Sequence, residues 1–314
     1  MAEQPTFEDV VAAAQRIEAH IRHTPVTTSK SIDDTVDGRV FLKCENLQRT
    51  GAFKFRGASN AIWLLSDTEC ARGVATHSSG NHGAALALAA RTRDMDATIV
   101  MPAVSVRSKI EAVEAYGGNI RFCGPTMTDR EAMLEEVLAE TGAVPVHPYD
   151  DARIVAGQGT AALELTEEID HLDVIVVPVG GGGLLAGTSL VAERYGIAVY
   201  GSEPAQASDA KQSLDAGRRI ATTPDTIADG LRATIGVLNF EVIRNRVRDI
   251  LTVSEDEIIA AMRFVWQRVK IVVEPSAAVP VAALMRYREL FNEQRVGVVL
   301  TGGNLDLDAL PWQD

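Results

Sequence analysis

Along the chain, short runs of nearly continuous apolar residues alternate with longer stretches in which apolar positions recur every three or four residues. A run such as VIVVP at 174–178 is short for a helix and lacks the alternation of a half-exposed strand. It reads as a strand buried on both faces. The spacing predicts strands over 40–44, 73–76, 97–101, 119–123, 143–147, 174–178, 198–202 and 296–300. It predicts helices over 56–65, 81–90, 105–116, 126–140, 153–168 and 184–195. An opening helix runs from Thr6, an N-cap followed by the acidic Asp9, to about His20. Pro25 breaks that pattern, and 217–226 is the clearest loop. Strand–helix alternation of this kind builds parallel sheets covered by helices on both faces, an α/β fold. The stretch 73–147 holds four strands and three helices, enough for a unit of its own. The expected division is a large domain of 1–67 with 148–314 and a small domain of 68–147. The wholly apolar strand 296–300 belongs near the centre of the large sheet.

Composition narrows the function classes. The apolar share of 46% is that of an ordinary globular protein. A net charge of −13 with no basic tract argues against nucleic acid as a partner. It also disfavours an anionic membrane surface. Cys44, Cys70 and Cys123 are widely spaced and form no CxxC pair, so a reducing cytoplasm is expected rather than a disulfide framework. No signal peptide or membrane-spanning run is visible.

Lys54 lies between Phe53 and Phe55 in TGAFKFRGA. An amine in a partly apolar pocket has a lowered pKa and attacks aldehydes; a surface lysine near a helix start is the plain alternative. Gly180, Gly181, Gly182 and Gly183 follow the strand 174–178 and precede an apolar helix. Glycines there let backbone N–H groups turn around a phosphate at a helix N-terminus. The pattern is neither GxGxxG nor GxxxxGK[ST], so it does not support a dinucleotide or a P-loop nucleotide. SSGNHG, Ser78 to Gly83, suits a carboxylate or simply a capped helix start. TGGN, Thr301 to Asn304, ends a parallel strand, where ligands bind in such sheets. Glu203 and Asp209 offer oxygen ligands to a hard cation, or a solvated acidic helix start. His77 and His82 lack a third ligand at zinc spacing.

Taken in order, KCENLQRTGAFKFRGA, THSSGNHG, AGQGTAALEL, PVGGGGLLAG, SEPAQASD, IADGL and LTGGN resemble the fold-type II pyridoxal-phosphate enzymes, with the tryptophan-synthase-beta-like fold of two parallel-sheet αβα domains. The branch most similar holds serine and threonine dehydratases, serine racemase and threo-3-hydroxyaspartate dehydratase. The resemblance runs from about Phe7 to Trp312. It implies that Lys54 holds the cofactor aldehyde, Phe53 packs near the ring, and Asn81 bonds the ring's phenolic oxygen. Gly180 through Gly183 would hold the phosphate, and Thr301 would face the pyridine nitrogen, where many relatives have serine. Ser78, Ser79, Asn81 and His82 would receive the substrate carboxylate. Ser79 also matches the racemase's acid–base serine, and Arg130 an arginine that closes over substrate. Glu203, the Ala207 carbonyl and Asp209 match a site for magnesium, calcium or manganese. Tyr149 departs from the asparagine of several racemase-like relatives, and Glu274 matches a glutamate beside the cofactor. A homodimer is implied.

The activity implied is a dehydratase releasing ammonia and a 2-oxo acid from a small β-hydroxy amino acid. Threonine or serine and 3-hydroxyaspartate stand nearly equal, with racemisation of serine or aspartate as a side reaction. With Asp314 as the last residue, the regulatory domain of biosynthetic threonine dehydratases is not expected. A cysteine-synthase-like β-replacement enzyme and a binding protein without catalysis are the rival readings.

Overall fold

The computed structural model describes residues 4–312. In chain order its elements begin with α1 (Phe7–Ile17), β1 (Val26–Thr27), α2 (Lys30–Val36), β2 (Arg39–Cys44), α3 (Lys54–Trp63) and α4 (Asp67–Cys70). Then come β3 (Val74–His77), α5 (Asn81–Arg91), β4 (Ala97–Pro102), α6 (Arg107–Ala115), β5 (Asn119–Cys123), α7 (Met127–Thr141) and β6 (Val144–Pro145). The rest are α8 (Ala152–Glu168), β7 (Val174–Pro178), α9 (Gly183–Tyr195), β8 (Ala198–Pro204), α10 (Asp209–Ala216), α11 (Val237–Ile243), β9 (Asp249–Val253), α12 (Glu255–Phe264), α13 (Pro275–Arg286) and β10 (Arg295–Leu300).

Two sheets form. One has six strands in the order β1-β2-β10-β7-β8-β9, parallel except for the antiparallel edge β1. The other has four parallel strands in the order β5-β4-β3-β6. The apolar strand β10 lies between β2 and β7, with Val298 opposite both Leu42 and Val176. After Arg295 every residue of β10 is buried, as expected of a strand with both faces covered. Each sheet packs against helices in its own apolar clusters.

Most boundaries shift by a residue or two, and three differences bear on the architecture around Lys54 and the sheets. The strand expected over 143–147 is only Val144–Pro145, and the last bond to β3 runs from the Val146 N–H to the Ala75 carbonyl at 3.0 Å. The opening helix ends at Ile17. The third helix begins at Lys54 itself rather than after it, with Phe53 at the N-cap. Lys54 therefore sits in the first turn, held by whatever anchors α3.

Two features anchor that helix. First, α3 and α8 cross with their backbones touching: a Cβ at Gly157 would stand 2.6 Å from the Gly57 Cα. Second, the Arg56 guanidinium is fully buried and fully used. It donates to Glu45 at 2.7 and 2.8 Å, to Glu164 at 2.7 and 2.8 Å, and to the Thr160 hydroxyl at 3.2 Å. Lys43, also buried, reaches Glu164 at 2.7 Å and the Thr24 carbonyl at 2.7 Å. Two cations and two carboxylates thus balance in the interior. Replacing Arg56 with alanine leaves Glu45 without an ion-pair partner among the described residues, while Lys43 still holds Glu164, and is expected to cost about 3–5 kcal/mol. Chemical denaturation measures it; a change under about 1 kcal/mol would contradict this reading of the cluster.

Candidate active site

The loops after β3, β7 and β10 open into one cavity of about 660 Å³. It lies at the C-terminal ends of parallel strands, where the backbone of the following turns is free to meet a ligand. Phe53, Lys54, Ser78, Ser79, Asn81, His82, Arg130, Thr301 and all four glycines from Gly180 to Gly183 line it.

Lys54 Nζ donates to the Pro148 carbonyl at 3.0 Å and stands 5.1 Å from the centre of the Phe53 ring. Burial pulls its pKa down to about 8, and the charge of Glu274 offsets only part of this. Near neutral pH the amine is mainly an ammonium, but its uncharged, nucleophilic form is far better populated than that of an ordinary lysine. His82 is buried and neutral: burial first, then the Lys54 charge, hold its pKa well below the usual imidazole value. His147 is brought to about 4, mainly by burial.

The glycine turn joins β7 to α9. Gly182 has a φ of +88° and caps α9. Gly181 lies flat against the Tyr149 ring, since a Cβ there would come within 2.2 Å of it. The Asn239 amide ties the turn down, donating to the Gly181 carbonyl at 2.6 Å and to the Tyr149 carbonyl at 3.0 Å. The first N–H groups of α9 have no partner within the helix and point toward the turn, which suits a phosphate. A desolvated amine, a glycine turn whose Cβ positions are taken up by Leu231, Tyr149, Ile235 and Asn239, and a buried Thr301 in the same cavity fit a phosphorylated aromatic aldehyde.

The opposite wall comes from the four-stranded sheet. Asn81 opens α5, and its Nδ2 donates to Glu274 at 2.9 and 3.2 Å. Ser78 and Ser79 are half-buried on the turn before it. Arg130, in the first turn of α7, lines the cavity with its Nε buried and without a protein partner among the described residues. Lys109 of α6 forms an ion pair with Asp229 across the cavity.

Glu203, Ala207 and Asp209 gather elsewhere, at the C-terminal end of β8. Glu203 accepts from the backbone N–H groups of Ala210 at 3.1 Å and Lys211 at 2.9 Å, and Asp209 from that of Ile235 at 2.8 Å. Burial raises the pKa of Glu203 well above its usual value and that of Asp209 to about 6. Neither forms an ion pair with a lysine or arginine among the described residues. No group of three or more His, Cys, Asp or Glu side chains is placed to hold a metal among those residues. The candidate set is therefore two carboxylates and a carbonyl, all oxygen donors of the kind a hard cation takes.

The Pro148 carbonyl and the Lys109–Asp229 pair carry no local pattern in the sequence. Asn304 falls in the TGGN turn, and Glu274 is marked only by the resemblance, because its place before Pro275 reads as a helix start.

A family model described as "Pyridoxal-phosphate dependent enzyme" matches residues 17–302. The chain is 47% identical to a beta-hydroxyaspartate dehydratase of Paracoccus denitrificans over 98% of this chain and 99% of the relative. It is 42% identical to an L-threo-3-hydroxyaspartate ammonia-lyase of Saccharomyces cerevisiae over 96% of this chain and 94% of that one. The crystal structure of serine racemase from Dictyostelium discoideum superposes with a TM-score of 0.93 at 41% identity, covering 96% of this chain and 99% of that one. No helix among the described residues is long and apolar enough to cross a membrane. Agreement in sequence and in fold over nearly the whole length decides the matter: the chain belongs to the pyridoxal-phosphate dependent enzymes, with the fold of their fold-type II branch.

Proposed function

We propose that the protein is a lyase that converts a small β-hydroxy amino acid, 3-hydroxyaspartate foremost, to a 2-oxo acid and ammonia. The water lost in elimination is regained on hydrolysis, so the net change is deamination. The observation that carries the substrate choice is the cation placement. Beyond Lys54 the cavity is lined by Arg130, whose Nε has no protein partner among the described residues, by Lys109, paired with Asp229, and by Arg232, which donates to the Thr226 carbonyl. A second carboxylate on the substrate gives Arg130 a counter-charge that serine or threonine cannot supply. The names of the Paracoccus and Saccharomyces relatives point the same way.

Bound pyridoxal phosphate would supply the electron sink that makes the substrate's Cα proton removable. Lys54 would hold the cofactor aldehyde and, once freed, take that proton on Nζ. Gly180 to Gly183 would bind the phosphate. Asn81 would donate to the ring's phenolic oxygen, and Phe53 would pack beside the ring. Thr301 would set a neutral hydroxyl against the ring nitrogen; unlike a carboxylate, it does not hold a proton there, which favours prompt loss of the β-hydroxyl. Ser78, Ser79, Asn81 and His82 would receive the α-carboxylate. Ser79 would offer an acid–base hydroxyl on the face opposite Lys54, which keeps racemisation as a side reaction.

The four-stranded unit, 68–147, would close over the substrate, and the Lys109–Asp229 pair crosses the line of closure. Serine or threonine deamination is the second reading, favoured by a cavity of about 660 Å³ that has room for the smaller substrates. Release of 2-oxo acid from L-threonine, both serines, and the threo and erythro 3-hydroxyaspartates, assayed side by side, tests the choice. Rapid release from threonine or serine with none from either 3-hydroxyaspartate would overturn it. The homodimer implied by the resemblance is checked by sedimentation of the holoprotein.

The cation at Glu203, Ala207 and Asp209 would be structural, outside the reacting centre. Magnesium added to chelator-treated protein is expected to raise Tm by several degrees, because binding to the folded state alone stabilises it. Glu203→Gln or Asp209→Asn should abolish the response. An unchanged Tm in the unsubstituted protein at saturating magnesium, calcium and manganese would contradict the site.

A further inference from the structure

Two polar residues of the cavity wall have no part in the reaction as described so far. They are Glu274, at the N-cap of α13, and Asn304, four residues after the end of β10. Both bind Asn81. Asn81 Nδ2 donates to Glu274 Oε1 at 2.9 Å and Oε2 at 3.2 Å. The Asn304 backbone N–H donates to the same Oε2 at 3.1 Å. Asn304 Nδ2 donates to Asn81 Oδ1 at 2.8 Å and to the Thr50 carbonyl at 2.7 Å. These partners fix both amides. A flipped Asn81 would face its oxygen to a carboxylate and its nitrogen to a nitrogen, exchanging favourable contacts for repulsive ones.

The backbone around the network is shaped to it. Thr50, a β-branched residue, is held at φ 60°, a conformation such residues rarely adopt. Its carbonyl is the one Asn304 uses. A Cβ at Gly51 would stand 2.4 Å from Asn304 Oδ1, and one at Gly302 would stand 2.7 Å from Glu274 Oε1. The strained turn lies just before Lys54 in the chain, so the network and the amine share one segment.

We propose that Glu274 and Asn304 are positioning residues that lock the Asn81 amide in one orientation, leaving its second Nδ2–H as a donor for an anionic oxygen in the cavity. The inference rests on pyridoxal phosphate occupying this cavity, as proposed above, and not on which amino acid is consumed. The ring's phenolic oxygen would meet a donor and no competing lone pair. Glu274 can hold Asn81 only as an acceptor. The charged groups that face it are Lys54, Lys109 and Asp229. Burial first, then the Asp229 charge, raise its pKa to about 7. Protonation below that pH removes the negative charge and sets an O–H among the N–H donors of Asn81 and Asn304, leaving one carbonyl oxygen to accept, so the hold on Asn81 weakens.

The test compares cofactor release from the holoprotein with that from Glu274→Gln and Asn304→Asp, each nearly isosteric. Pyridoxal 5′-phosphate release on dilution, the visible absorbance band and the apoprotein Tm are followed from pH 6 to pH 8. Both variants are expected to bind the cofactor about tenfold to a hundredfold more weakly, the loss for a hydrogen bond to a charged group. Apoprotein Tm should stay at or above that of the unsubstituted protein. The unsubstituted protein should lose grip as pH falls through about 7, and Glu274→Gln should lose that pH dependence. Asn304→Asp leaves Glu274 in place and decides the matter if Glu274→Gln does not fold. Wild-type release rates in both variants would overturn the proposal, as would weaker binding matched by an equal fall in apoprotein Tm. So would a loss of grip centred near pH 7 that survives in Glu274→Gln, as distinct from the step near 8 that the Lys54 amine gives both proteins. An unsubstituted protein that binds no cofactor overturns this and the cofactor reading together; one that binds it while both variants match it overturns only this one.

Discussion

Lys54→Ala is expected to lower turnover by at least about 10²–10⁴-fold, the range for a lost general base. No other single change should cost as much, because the same nitrogen is assigned both the hold on the cofactor and the Cα proton. Lys54→Arg should not rescue it, since a guanidinium stays charged and is neither nucleophile nor base near neutral pH. The pH dependence has a definite sign. Burial brings the Lys54 amine to about 8, so it is an ammonium below that pH and a free amine above it. The rate at which apoprotein takes up pyridoxal phosphate should therefore rise with pH and level off above about 8. The fold should survive the substitution, because α3 is anchored through Arg56 and the Gly57–Gly157 crossing rather than through Lys54. Turnover by Lys54→Ala within tenfold of the unsubstituted enzyme would place the base elsewhere.

Arg130→Met should divide the substrates. Removing one member of a buried charge pair costs about 2–5 kcal/mol, roughly thirtyfold or more in kcat/KM. That loss is expected with 3-hydroxyaspartate, whose second carboxylate has Arg130 as its partner in this reading. With serine or threonine the change should stay within a few-fold. Methionine keeps the length and apolar stem of the side chain, so packing on the first turn of α7 is largely preserved. Equal losses on all three substrates would mean that Arg130 serves the α-carboxylate or the closure of the small unit. No loss on any would remove it from the site.

Much of this architecture could be read from periodicity. The strands that form the centres of both sheets are short and mostly apolar, and all but β10 lead through a turn into a helix. That pattern has few solutions other than parallel sheets. The short edge strand β1 escaped notice because two residues carry no period. Helix α12 was legible in principle, since Ser254 and Glu257 form a capping box at its start. The start of α3 was displaced because Phe53 is no recognised capping residue.

The site divides in the same way. Lys54, the glycine turn and the SSGNHG loop carry local signals, because a phosphate cradle and a capped helix start each demand particular residues at adjacent positions. Glu274, Asn304, Lys109 and Asp229 are brought together from separate elements, 193 residues apart in the case of Asn81 and Glu274. Nothing in the neighbourhood of any one of them announces the others. The departure at Tyr149 becomes intelligible only with the ring seen lying on Gly181, where it forms part of the wall behind the glycine turn.

The whole account depends on a covalent link between one nitrogen and the cofactor. Borohydride reduction of the holoprotein, followed by proteolysis and mass spectrometry, reads that link directly. The predicted result is a single phosphopyridoxyl mass on the peptide containing Phe53 and Lys54, with fragment ions assigning it to Lys54. The label on another lysine, or its absence from protein saturated with pyridoxal phosphate, would contradict the account.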